Sequence, residues 1–144
     1  MKRRMAVVLG AAGILLTLAG CGMFLSGAQP LTPPVISNLQ IQPSRLRFFG
    51  GQVTLSVNVS DQEGVRSVVL EVQKPDGSTS SVAMEAAGAD TYRATVNLPP
   101  NVGASTQQYG FVVRAEDMFG VTARSDPAVL EVEGISLPPG APPI

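Results

Sequence analysis

The chain has 144 residues, which is room for one domain, and its formal net charge at pH 7 is −1. It contains no histidine and a single cysteine, which excludes Ser-His and Cys-His catalysis, imidazole ligation of zinc and an intrachain disulfide. From residue 21 onward, 7 Lys and Arg stand against 11 Asp and Glu, a balance that disfavours nucleic acid as a partner.

The N-terminus has the organisation of an export leader. Three positive residues, 2–4, precede an uncharged apolar run over 5–18, and the small residues Ala19 and Gly20 follow. Leu18-Ala19-Gly20-Cys21 resembles the lipobox of bacterial lipoproteins. The resemblance implies cleavage between Gly20 and Cys21 and acylation of the Cys21 sulfur. We therefore predict a helical signal peptide over residues 1–20, with the covalent lipid as the only attached group that the leader implies.

An uncleaved membrane helix is the alternative interpretation of this segment. The uncharged stretch continues to Leu25, and about 20 residues are enough to span a bilayer. Both interpretations place the rest of the chain outside the cytoplasm, because positive residues remain inside. Gly22 follows Cys21. In some of the lipoproteins that the leader resembles, an Asp at this position retains the protein on the inner membrane. The resemblance therefore favours the outer membrane in a cell that has two.

Composition divides the remaining chain into three parts. Residues 21–34 are uncharged and contain Gly and Pro, which predicts a lipidated, flexible tether. Residues 35–133 carry the patterned segments and form the predicted domain. Residues 134–144 are rich in Pro and predict a disordered tail of polyproline character, with recognition by a Pro-binding partner as the alternative.

The predicted domain is all-β, because its apolar residues recur with period two. Four segments alternate clearly, over 53–59, 68–72, 92–98 and 109–115, and three shorter ones lie at 39–41, 82–84 and 130–132. Gly, Pro, Asn and Asp clusters separate them, and no helical stripe occurs after the leader. About seven short strands with such turns predict an antiparallel β-sandwich.

The segment over 109–120, Tyr-Gly-Phe-Val-Val-Arg-Ala-Glu-Asp-Met-Phe-Gly, resembles the penultimate strand of bacterial Ig-like and fibronectin type III-like modules. The segment over 57–65 resembles an earlier strand and acidic turn of the same modules. The resemblance implies an Ig-like sandwich, with Tyr109 as a tyrosine-corner residue, and a spacer, adhesion or docking role without catalysis. Because the chain has neither Trp nor a Cys pair, an antibody-type domain is excluded.

Four carboxylates flank two loops that emerge at one pole of such a sandwich: Asp61, Glu63, Glu116 and Asp117. Calcium takes six to eight oxygen ligands, so a calcium site is one hypothesis. The other is that Asp61 and Asp117 form turns by bonding their own backbone. A carboxylate pair for glycoside hydrolysis is disfavoured, since a domain of this size offers little cleft and few aromatic side chains.

Aromatic residues outside the predicted core are candidate contact points. Phe48 and Phe49 stand beside Arg45 and Arg47, and the pair is either an interaction patch or a plug for one end of the sandwich. Phe119, at a turn, is either an exposed anchor or a lid on the core.

The sequence thus predicts a lipid-anchored module of the bacterial cell envelope that acts by binding or as a structural element. It is not predicted to be an enzyme or to need a cofactor, calcium being the one candidate ligand. Its partners would be the membrane, through the lipid, and an unidentified protein or glycan. The alternatives are an accessory subunit of a membrane enzyme or transport complex, and a calcium-assisted adhesion or carbohydrate-binding module.

Overall fold

The structure, a computed structural model, describes residues 30–136 and Gly140. The predicted signal peptide, Cys21, most of the tether and most of the tail lie outside these residues. No helix long and apolar enough to cross a bilayer occurs in the described part of the chain.

Residues 30–136 form ten strands and no helix, which confirms the all-β prediction. All seven predicted strands are present. Three short ones, β2, β6 and β9, were not predicted, because two or three residues are too few to show alternation. The strands are β1 (Val35–Gln42), β2 (Arg45–Leu46), β3 (Gly51–Ser60), β4 (Val65–Gln73), β5 (Thr79–Ala83), β6 (Glu85–Ala86), β7 (Thr91–Leu98), β8 (Gln107–Asp117), β9 (Thr122–Arg124) and β10 (Ala128–Val132).

The strands form two sheets that face each other. One has the order β1-β3-β7-β6, and the other has the order β2-β10-β8-β4-β5, with β9 also paired to β8. All pairings are antiparallel except that of β10 with β2. Lettered along the chain, the first sheet is A-B-E-D and the second contains G-F-C, which is the arrangement of immunoglobulin domains. The Ig-like sandwich is therefore confirmed.

The core lies between the sheets and consists of the inward-facing members of each alternating strand. Each buried Val, Leu or Phe contributes about 1.5–3 kcal/mol relative to an exposed position. The chain has no tryptophan, and Phe111 is the largest fully buried side chain among the described residues. The central residues of the core are Val53, Leu55, Val57 and Val59 of β3, Val68, Leu70 and Val72 of β4, Phe111, Val113 and Ala115 of β8, and Leu130 and Val132 of β10.

Phe48 and Phe49 do not plug the end of the sandwich. Their side chains are 46% and 61% exposed, and the rings meet edge to face with centroids 5.6 Å apart. Leu46 takes the buried position instead, because it lies on β2 and its side chain faces the core. The chain then turns, with the Gly50 amide donating to the Arg47 carbonyl at 2.9 Å, and this turn directs both rings outward.

Tyr109 lies on β8 and is buried, but it does not form a tyrosine corner. No hydrogen bond joins its hydroxyl to another described residue; burial, together with the charge of Asp76, raises the pKa of this phenol. The Tyr109 backbone pairs with Leu130 of β10, and its ring is part of the core. The effect of Asp76 on the phenol places the hydroxyl towards the turn between β4 and β5.

Backbone contacts continue slightly past the predicted end of the domain at residue 133. The Ile135 amide donates to the Gly103 carbonyl at 2.8 Å, so the chain beyond β10 runs along the loop between β7 and β8.

Candidate metal centre

The acidic residues at one pole are placed by the same alternation that builds the core. On β8, Tyr109, Phe111, Val113 and Ala115 face inward, and Asp117 takes the next inward position as the strand ends. Asp61 stands in the same relation to β3, two residues beyond the buried Val59. Asp117 therefore points towards the end of the core, and one carboxylate oxygen of Asp61 lies within 4.8 Å of one from Asp117.

Each aspartate uses one carboxylate oxygen to build its own turn. The Oδ1 atom of Asp61 accepts a hydrogen bond from the Glu63 amide at 2.8 Å. The Oδ1 atom of Asp117 accepts from the amides of Phe119 and Val121, both at 2.8 Å. The turn-forming role predicted for these two residues is thus confirmed, and it occupies only half of each carboxylate.

Three further carboxylate oxygens are buried and have no hydrogen-bond partner among the residues that the structure describes. They are the Oδ2 atoms of Asp61 and Asp117 and the Oε2 atom of Glu63. Asp117 is 0% exposed, so water outside the fold does not solvate its carboxylate. One carboxylate oxygen from each residue lies within 4.8 Å of one from each of the others. We call Asp61, Glu63 and Asp117 the acidic triad.

Asp117 is buried and Asp61 and Glu63 are half-buried, so bringing these three carboxylates together is electrostatically costly. Two like charges 4 Å apart repel by about 4 kcal/mol at an effective dielectric constant near 20. Within the part of the chain that the structure describes, no Lys or Arg forms an ion pair with a triad carboxylate. Positive charge placed among the three oxygens would therefore stabilise this pole.

The structure brings together three of the four carboxylates considered in the sequence, and Glu116 lies outside this group. It is adjacent to Asp117 on β8 and therefore points to the opposite face of the sheet. There its Oε1 atom pairs with Nη1 of Arg66, on β4, at 3.5 Å. The period-two pattern already carried this information, because Glu116 is out of phase with the buried series on β8.

The two loops that carry the triad are joined through their backbones. The Met118 amide donates to the Gly64 carbonyl at 3.1 Å, and Val65 pairs with Asp117 where β4 and β8 meet. Gly64 has a φ of +96°, a conformation that glycine adopts readily and other residues do not. Sequence reasoning identified the loops but not this contact, because turn residues alone do not show which loops touch.

The acidic triad lies where the chain enters the domain from the tether. Val35, the first residue of β1, pairs with Ser60, which directly precedes Asp61. A surface depression beside this pair joins the tether to the first triad loop, and it is lined by Thr32, Pro33, Val35, Ser60, Asp61 and Gln62.

The donor set determines which chemistry the triad can support. It consists only of carboxylate oxygens, which suit hard cations such as calcium or magnesium and not the softer metals that histidine and cysteine select. A glycosidase pair needs carboxyl groups about 5–5.5 Å or 6.5–9.5 Å apart on either side of a bound sugar. One oxygen of each triad carboxylate is buried and does not face a cleft, so the arrangement suits ion binding better than contact with a sugar.

The exposed aromatic residues lie at two different poles and do not form one patch. Phe119 is 64% exposed at the turn after β8, beside the acidic triad. Phe48 and Phe49 precede β3, and the Phe48 carbonyl accepts from the Asn101 amide at 2.7 Å. They are therefore at the opposite end of the sandwich, where Val102 is also exposed.

No protein-family model matches this chain, and no curated protein sequence matches it. Solved structures do. A protein described as a myokine aligns with 68% of this chain and 95% of its own, at 16% identity and a TM-score of 0.50. A DUF4785 family protein from Legionella pneumophila aligns over 73% of this chain but only 29% of its own, at 9% identity and a TM-score of 0.51.

A third match is a fibronectin(III)-like module of Clostridium thermocellum CbhA, with 17% identity over 71% of this chain and all of that one, at a TM-score of 0.43. At these identities the likenesses concern the fold alone. The first two likenesses, with TM-scores of 0.50 and 0.51, agree with the two-sheet sandwich described above.

Proposed function

We propose that this chain is a lipoprotein of the bacterial cell envelope whose Ig-like domain acts by binding or as a structural element, without catalysis. The single observation that carries the proposal is Leu18-Ala19-Gly20-Cys21, placed after a basic and then an apolar segment. Cleavage before Cys21 and acylation of its sulfur would hold the domain at the extracytoplasmic face of a membrane, the outer one where there are two.

The position of the domain in the chain is compatible with this anchor. Residues 22–34 separate Cys21 from the first strand at Val35, and they carry no charge. Thirteen extended residues reach about 45 Å, enough to hold the sandwich clear of lipid headgroups. The acidic triad would face the membrane side, because the tether enters at that pole.

A non-catalytic role is supported by the chemistry of the described residues and by the fold. The chain has no histidine, and its one cysteine is used by the anchor in this proposal. The closest grouping of carboxylates is buried rather than placed in a cleft open to substrate. Ig-like folds carry many functions, so the sandwich itself supports a binding or structural module and no particular partner.

Cys21→Ala tests the anchor. We expect the wild-type chain to incorporate a palmitate analogue, lose the mass of residues 1–20 and sediment with membranes. The variant should lose the label and keep the leader uncleaved. Ser26→Ala, in the tether, is the matched control and should behave as wild type. Normal labelling and processing of Cys21→Ala would contradict the proposal.

A second candidate, an accessory subunit that docks on a protein, is favoured by the exposed Phe48–Phe49 pair. The pair lies at the pole opposite the tether. In the anchored protein this pole would face away from the membrane, towards a partner protein. Because one ring edge covers part of the other ring's face, the pair suits an apolar protein contact better than flat stacking on a sugar.

Cross-linking in intact membranes tests this candidate. A photoreactive side chain at Phe49 should capture one stoichiometric protein, whereas the same group at Phe119, on the other pole, should not. Equal capture from both sites would contradict a docking role for the pair, and glycan-array binding lost on Phe49→Ala would favour the adhesion alternative.

A further inference from the structure

We propose that the acidic triad binds one calcium ion, which locks the loop between β3 and β4 onto the turn between β8 and β9. The proposal does not rest on an acidic cluster alone. Asp117 is completely buried and belongs to the cluster, and within residues 30–136 its Oδ2 atom has no hydrogen-bond partner. Native folds rarely bury such an oxygen without a partner, so its burial points to a ligand.

The distances are compatible with one shared ion. Two ligands that each lie about 2.4 Å from one calcium ion are at most about 4.8 Å apart, and one carboxylate oxygen of each triad residue lies within this limit of the other two. Both aspartates reserve Oδ1 for their turns, so Oδ2 remains free for the ion without breaking any hydrogen bond. Backbone carbonyls and water would complete the coordination shell.

Three carboxylates favour calcium over magnesium. Magnesium requires near-octahedral geometry, keeps several of its waters and is usually bound through one or two carboxylates. Calcium accepts more ligands in irregular positions, as two loops of different shape provide. An ion at this place would also neutralise most of the repulsion within the acidic triad. None of the ion pairs in the described residues brings a Lys or Arg to these carboxylates.

The proposed ion would act on the junction between tether and domain. Asp61 follows Ser60, which pairs with Val35 at the start of the sandwich. Fixing the first triad loop therefore fixes the point where the tether enters. The proposal itself does not depend on the lipid anchor, because binding is measured on the purified chain.

The test is thermal unfolding of the full chain, purified in a non-ionic detergent, in EDTA and in millimolar calcium. Extracellular modules bind calcium with Kd values of about 10⁻⁴ to 10⁻³ M. At ten times Kd we expect the midpoint to rise by about 5–10 °C, and calorimetric titration should give one ion per chain. An unchanged midpoint would overturn the proposal, and an equal rise with magnesium would overturn the choice of ion.

Two substitutions separate ion binding from a structural role. Asp117→Asn keeps an acceptor for the Phe119 and Val121 amides but removes a charge, and Glu63→Gln removes a charge in the other loop without changing the size of the side chain. Each should abolish the calcium response and, in EDTA, melt no lower than wild type because repulsion is relieved. Glu116→Gln, outside the cluster, should respond as wild type. A full calcium response in Glu63→Gln and Asp117→Asn would overturn the proposal.

Discussion

The backbone amide of Met118 donates a hydrogen bond of 3.1 Å to the carbonyl oxygen of Gly64, and this contact joins the two loops that carry the acidic triad. Gly64 reaches this position with a φ of +96°. A Cβ at residue 64 would lie 3.5 Å from Met118 Cγ, which is an ordinary contact. The position therefore requires glycine for its backbone conformation and not for space.

We predict that Gly64→Ala lowers the free energy of unfolding by about 1–2 kcal/mol and also weakens the calcium response. Gly77→Ala is the matched control, because Gly77 has a φ of +84° and open space around it, in the turn between β4 and β5. It should lose similar stability but keep the calcium-induced rise in melting midpoint. If both variants keep the full rise, the Gly64 contact does not shape the site.

Asn101 should be required for stability at the opposite pole. It is buried, and its Nδ2 group donates to the carbonyls of Ser105 and Val132 at 2.8 and 3.1 Å. Asn101→Ala removes both of these hydrogen bonds from a buried site, at an expected cost of about 1–3 kcal/mol in urea unfolding. The exposed Asn97 is the control, and Asn97→Ala should change stability by less than about 0.5 kcal/mol. Equal effects would show that the Asn101 hydrogen bonds contribute little.

Tyr109 should make stability decrease at alkaline pH. Burial raises the pKa of this phenol in the folded chain, with a further contribution from the charge of Asp76. Because folding favours the neutral phenol, Tyr109 contributes its full share of stability below about pH 10, the ordinary pKa of tyrosine. That stability is lost as the pH rises through the raised pKa of the folded chain. Tyr109→Phe should remove this part of the alkaline decrease.

At pH 7 the same substitution should cost less than about 1 kcal/mol, because no hydrogen bond of the hydroxyl is lost among the described residues. A larger cost of Tyr109→Phe at pH 7 would indicate that the hydroxyl bonds the backbone after all, as in a tyrosine corner.

The core should be sensitive where the two sheets meet. Leu70 on β4 is fully buried, and Leu70→Ala should cost about 2–5 kcal/mol because it leaves a cavity. Val129 on β10 is largely exposed, so Val129→Ala should change the free energy of unfolding by less than about 0.5 kcal/mol. Urea unfolding followed by circular dichroism measures both; a small loss for Leu70→Ala would mean that the sheets are less tightly packed than described.

The sequence alone determined the fold class and the seven main strands. Period-two alternation is strong in segments such as 53–59, since one face of each strand must be buried and a one-residue slip would expose it. It also placed Asp61 and Asp117 beside turns. The alternation of 109–115 also continues to Asp117, which is the next inward position. Neighbouring residues on a strand face opposite ways, so this pattern separates Glu116 from Asp117.

Only the tertiary structure decided which polar groups meet. The sequence placed the loops of Asp61 and Asp117 at one pole, but turn chemistry is local and does not show that their carboxylates, 56 residues apart along the chain, lie within a few ångströms of each other while Glu116 does not join them. The outward direction of Phe48 and Phe49 was equally hidden, because the unpredicted β2 gives the buried position to Leu46. Local patterns specify which face of a strand is buried, whereas contacts between loops depend on how the two sheets stack.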